Sequence, residues 1–171
     1  YWLQITDPDF DARMKDVTGL YLRAPGLAAQ GIPVFCFDEK TSIQALERGT
    51  PDKPMAPGKP QRRDHRYKRH GTTNLLAAFE VAKGRVMGEF FKTRPANVVA
   101  AFIRRVIERV PDAPSAHMVM DQLSTHWSHD VCRVVAELSG IDYDPKQHPT
   151  GADRKAFLCD PNKRVVFHFT P

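Results

Sequence analysis

The chain has 171 residues, 42% of them apolar and 26% charged. That suits one domain with a core of its own, disfavours disorder, and leaves no run near the ~18 apolar residues of a membrane span. The net charge of +5, from 25 Lys and Arg against 20 Asp and Glu, favours a polyanionic partner.

Asp7-Pro8 predicts a helix start, with Phe10, Met14, Val17, Leu20 and Tyr21 following at helical spacing until Ala24-Pro25-Gly26 ends the run. PVFCFDEKT (33–41) predicts a strand over about 34–38, buried on both faces and closing on the acid pair Asp38 and Glu39. Residues 51–60, with four prolines and a glycine, read as a loop. A long strand is expected from Tyr67 to Val81, then a tight turn at Lys83-Gly84 and a second strand from Arg85 to Phe91, making a hairpin. Pro95 opens a helix whose stripe of Val98, Val99, Phe102, Ile103, Val106, Ile107 and Val110 stops at Pro111. A short buried strand, Met118 to Asp121, again ends in an acid. Ser128 caps a helix that Gly140 closes, residues 141–163 read as polar and irregular, and 165–169 form a last strand. Three cysteines, Cys36, Cys132 and Cys159, with no C-x-x-C, suggest reduced thiols and a cytoplasmic location. The apolar strand pattern reaches Thr170-Pro171, which suggests a piece of a longer protein.

This order describes an α/β chain with a mixed sheet and helices on its faces. The helix after the hairpin serves as a crossover that sets strand 118–121 parallel to strand 34–38. Asp38 and Asp121 then become neighbours at the carboxyl ends of their strands, where sites form in such sheets. Two close carboxylates repel unless a cation lies between them, and Mg2+ accepts one or two carboxylates together with substrate phosphates. The competing reading is that both aspartates cap loops or pair with Lys40 or nearby arginines. His126 and His129 admit a zinc site, but i, i+3 histidines without a cysteine cluster are a poor signature for one. In the run QRRDHRYKRHG (61–71), Arg62, Arg63, Arg66, Lys68 and Arg69 form either a solvated surface or, beside a phosphate-handling site, a strip that grips a DNA backbone.

FDEKT-x-x-QALERG (37–49), P-x-x-P-G-K-P (54–60), YKRHGT (67–72) and M-D-x-L-S-T-H (120–126) occur in the order seen in one family. Together they resemble the DDE transposases of bacterial insertion sequences related to mariner elements. The resemblance implies a ribonuclease-H-like mixed five-stranded sheet with flanking helices. It also implies metal-dependent phosphodiester cleavage and strand transfer at transposon ends, with two Mg2+ or Mn2+ ions in the complete enzyme. Asp38 and Asp121 match the first two catalytic, metal-binding aspartates; Gln122 stands where the family often has asparagine. Transposon-end and target DNA are the implied partners, without a membrane, and the full-length protein is expected to be a homodimer. The reading divides the chain into a helical lead-in (1–30) and a catalytic core (31–171) that stops before the family's third acidic residue, so that the fragment alone would not cleave DNA. Two alternatives stand beside it: a non-catalytic DNA-binding remnant, and a ribonuclease-H-like nuclease without strand transfer.

Overall fold

Val34, Phe35 and Phe37 are buried on alternate faces of one strand, and that strand organises the molecule. The computed structural model describes residues 7–63 and 65–171; residues 1–6 of the predicted lead-in and Asp64 of the basic run lie outside the described residues. In chain order the elements are α1 (Phe10–Ala29), β1 (Val34–Arg48), β2 (Tyr67–Glu80), β3 (Arg85–Phe91), α2 (Ala96–Glu108), β4 (Ala116–Met120), α3 (His129–Ser139), α4 (Gly151–Leu158) and β5 (Val165–Phe169). Short 3₁₀ turns lie at Ser124–Trp127 and Pro145–Gln147.

The five strands form one mixed sheet in the order β3-β2-β1-β4-β5. The β1–β2 and β2–β3 pairs are antiparallel, whereas β1–β4 and β4–β5 are parallel, as the crossover argument requires. One face carries the main core. There Phe35, Phe37, Met118, Met120 and Phe167 meet Val99, Phe102, Ile103 and Val106 of α2 and Val131, Cys132 and Val135 of α3. Each large side chain fully buried there contributes roughly 1.5–3 kcal/mol. On the other face Val17, Leu20 and Ala24 of α1 pack on Val34 and Val119.

Three elements differ from expectation. α1 does not stop at Pro25 but runs through it to Ala29. Buried Leu20 and Ala24, with Leu27 beside them, hold the helix to the sheet past the proline. The true stop is Gly31, at φ 77°, where the amides of Gln30 and Ile32 both donate to the Leu27 carbonyl. Within the stretch read as irregular, α4 forms behind a capping box: Thr150 Oγ1 accepts from the Asp153 amide and Asp153 Oδ2 accepts from the Thr150 amide.

The largest difference is β1, which continues ten residues past Asp38, to Arg48. Beyond Lys40 it pairs only with β2, so 41–48 and 67–73 leave the sheet as a two-stranded ribbon. The ladder slips between Lys40 and Ile43, where Ser42 has φ 54°, and again between Gln44 and Leu46. The proline-rich loop is the ribbon's tip. It folds back through bridges Lys53–Arg62 and Ala56–Lys59 around Pro57-Gly58, with Gly58 at φ 73°, a proline-then-glycine turn.

Candidate active site

Asp38 and Asp121 both lie just past the end of the parallel β1–β4 ladder; the sequence places Asp38 at the end of its strand, but β1 carries on beside β2 to Arg48. The β1–β4 ladder pairs Val34 with His117, Phe35 with Met118 and Cys36 with Val119; two residues further along each strand lie Asp38 and Asp121. β4 itself ends at Met120, so Asp121 sits one residue past its strand.

Both carboxylates are exposed, and each has one oxygen held by the fold. Asp38 Oδ1 accepts from the Glu39 amide at 2.7 Å. Asp121 Oδ1 accepts from the Leu123 amide at 3.0 Å and from His126 Nδ1 at 2.6 Å. The second oxygen, Oδ2, of each carries no hydrogen bond among the described residues. Neither aspartate pairs with Lys40 or with any arginine there. The loop-capping reading is met for Asp121 alone.

Glu39, the other half of the acid pair, turns the opposite way. Its side chain is 6% exposed and is closed off by an ion pair to Arg94 and by His126 Nε2, 3.2 Å from Oε1. His126 is 1% exposed and stands edge-on to Phe37, with ring centroids 5.1 Å apart. The chain around Asp121 is tied down as well. Gln122 Nε2 donates to the Thr170 carbonyl, Gln122 Oε1 accepts from Lys155 Nζ at 2.8 Å, and Trp127 Nε1 donates to the Gln122 carbonyl at 3.1 Å. Gln122 thus links the ends of β4 and β5 to α4.

The histidine pair weighed for zinc does not converge. His129 Nδ1 bonds the Tyr143 hydroxyl at 2.7 Å and its Nε2 lies 3.3 Å from Arg154, away from His126's partners. Among the described residues no group of three or more His, Cys, Asp or Glu side chains is placed to hold a metal ion. The five basic residues lie on the ribbon and its tip, all exposed. Arg62 is in the tip bridge, Arg63 lies 3.7 Å from Asp52, the Arg66 carbonyl accepts from Gly49, and Lys68 and Arg69 face Glu47 and Leu46 across the ladder.

A family model described as DDE superfamily endonuclease matches residues 33–171, from the start of β1 to the last residue. The chain belongs to this family. Among solved structures, this DDE domain is similar to the Mos1 mariner paired-end complex with Mn, at 17% identity and a TM-score of 0.50 over 81% of this chain and 43% of that one. A second Mos1 complex, with Mg, aligns with a TM-score of 0.44 at 14% identity over 98% of this chain and 53% of that one. The chain therefore spans about half, or less, of these proteins. No curated protein sequence matches the chain significantly. The first likeness shows the fold of the DDE domain, the ribonuclease-H-like mixed sheet that the sequence motifs imply.

His126, Glu39 and Arg94 were not singled out together from the sequence, since 87 residues separate Glu39 from His126. The available signals were an acid directly after Asp38 and a histidine five residues after Asp121.

Proposed function

We propose that this DDE domain is the catalytic domain of a mariner-related DNA transposase, acting on phosphodiesters at transposon ends and transferring the cut strand. One observation carries the reading: two exposed carboxylates at matching positions, each two residues past the last pair of the parallel β1–β4 ladder, neither paired with Lys or Arg among the described residues. Oxygen-only donors of this kind suit Mg2+ or Mn2+, and the Mos1 structure of like fold is named as a complex with Mn. Asp38 and Asp121 would hold the ion; when bound, such ions polarise the phosphate and stabilise the attacking and leaving oxygens. The chain's own parts then divide the work. Oδ2 of each aspartate is left without a protein partner among the described residues, the Gln122–Thr170–Lys155 bonds hold the carboxyl end of β4 firm, and the basic ribbon binds the DNA backbone.

The test is Mn2+ binding by electron paramagnetic resonance, paired with thermal unfolding. Asp38→Asn and Asp121→Asn should each weaken Mn2+ binding at least ~10-fold while leaving the fold intact, because neither carboxylate is buried. Unchanged binding in both variants would reject the site. DNA binding by a chain with no affinity for Mn2+ would instead support the non-catalytic remnant. Where the full-length enzyme cleaves, nicked product without joined product would identify a nuclease.

A further inference from the structure

Asp121 is 61% exposed and lies past the end of its strand, so hydrogen bonds rather than packing hold its side chain. Two protein groups fix its Oδ1, the Leu123 amide and the ring of His126. Of these, only His126 is anchored in the core.

His126 Nδ1 faces Asp121 Oδ1 at 2.6 Å and the Asp121 carbonyl at 3.3 Å. Both are acceptors, so Nδ1 carries the hydrogen. Nε2 faces Glu39 Oε1 at 3.2 Å, and Glu39 in turn is ion-paired with Arg94. Phe37 packs against the ring in a T-shaped pair, so the imidazole is enclosed and both its nitrogens are committed. A ring so enclosed cannot reach substrate. It can only orient what it touches. We propose that His126, held by Glu39 and Arg94, is a positioning residue for Asp121. It binds Oδ1 from the core side and so leaves Oδ2 turned outward for a divalent cation. The inference rests on the metal reading above and assigns a role to three residues outside the aspartate pair. A hydrogen-bonded partner behind a ligand commonly changes metal affinity 10–100-fold when removed.

The contact makes a directional prediction. In asparagine the side-chain nitrogen stands as far from Cβ as Nδ1 does in histidine; in glutamine it stands as far out as Nε2. His126→Asn should keep the donor to Asp121 and hold Mn2+ affinity within about threefold, whereas His126→Gln and His126→Ala should weaken it by about tenfold or more. Asparagine as damaging as alanine, or a folded His126→Ala chain with parental affinity, would overturn the proposal. A second measurement needs no metal. The Nδ1–H proton of His126, followed by nuclear magnetic resonance, should be protected from exchange, shift strongly in Asp121→Asn and stay in place in Asp38→Asn. A parent chain that binds no Mn2+ but shows this pattern defeats the cation reading and leaves the positioning contact standing. A resonance indifferent to Asp121→Asn defeats the contact itself.

Discussion

Asp38 and Glu39 are chain neighbours with opposite surroundings, because successive side chains of a strand leave by opposite faces. Asp38 meets solvent; Glu39 is buried against Arg94 and His126. Arg94 is 37% exposed, so water can take up its charge once Glu39 is gone; Glu39→Ala should cost roughly 1–2 kcal/mol in urea unfolding, and Glu39→Gln, which keeps the shape and one acceptor, less. A second residue-scale effect concerns His117 on β4. Burial, with His168 and Arg23 adding, lowers its pKa to about 4, against a small opposing pull from Asp16. A histidine whose folded pKa is depressed contributes stability above its unfolded value, near 6.5, and loses it as the pH falls toward 4. Unfolding free energy should therefore decline across that window, and His117→Gln should flatten the decline; an unchanged slope would place the linkage elsewhere. Position along a strand made the aspartates visible in the sequence. The Glu39–His126 contact was not, since it joins residues far apart in the chain.

At the scale of elements, α4 shows how a short helix hides. It has eight residues and starts on a glycine, so it lacks the long periodic stripe that made α2 legible. Its one local signal was the Thr150–Asp153 box. Gly151 is there for space: a Cβ on it would stand 2.9 Å from Cζ3 of Trp127 and 3.0 Å from Cη2. The indole cannot swing away freely, because Nε1 bonds the Gln122 carbonyl and Arg154 and Lys155 lie 5.2 Å from the ring. Gly151→Ala should lower stability by about 1–3 kcal/mol, the usual cost of overpacking, read as a fall in Tm. Ser128→Ala removes the acceptor of the Val131 amide and should cost about 1 kcal/mol. α1 carries the complementary lesson. The Pro25-Gly26 pair reads as a stop, yet packing against Val34 and Val119 overrides a local preference worth ~3 kcal/mol.

For the whole molecule the decisive shape is the ribbon. Ten residues of strand reach at most about 33 Å, and the two ladder slips shorten that span, so the ribbon carries its basic residues away from the aspartates and, on the proposed function, extends the DNA contact beyond them. Not all of its charge is available. Arg48 and Arg63 lie on Asp52 and His70 on Glu47, whereas Arg62, Lys68 and Arg69 have no carboxylate partner among the described residues. Every phosphate that a missing cation leaves unneutralised lowers the dependence of log K on log salt by about 0.9 for duplex DNA. Replacing Arg62, Lys68 and Arg69 with alanine should thus flatten the slope by roughly 2–3, more than replacing Arg63 alone. An equal slope in both would move the DNA contact off the ribbon.

The sequence by itself determined what local chemistry and periodicity encode. The apolar stripe of α2, the Lys83-Gly84 turn between β2 and β3, the Ser128 and Gly140 caps of α3, and the acids that follow the apolar runs 34–37 and 118–120 were all readable because neighbours in the chain decide them. Tertiary structure decided the rest. Where α1 ends depends on the sheet beneath it, and how far β1 runs depends on a partner strand that begins 19 residues after β1 ends. Which carboxylate stays open depends on a histidine, a glutamate and an arginine that only the folded sheet brings together, because burial and hydrogen-bond geometry act through space and not along the chain.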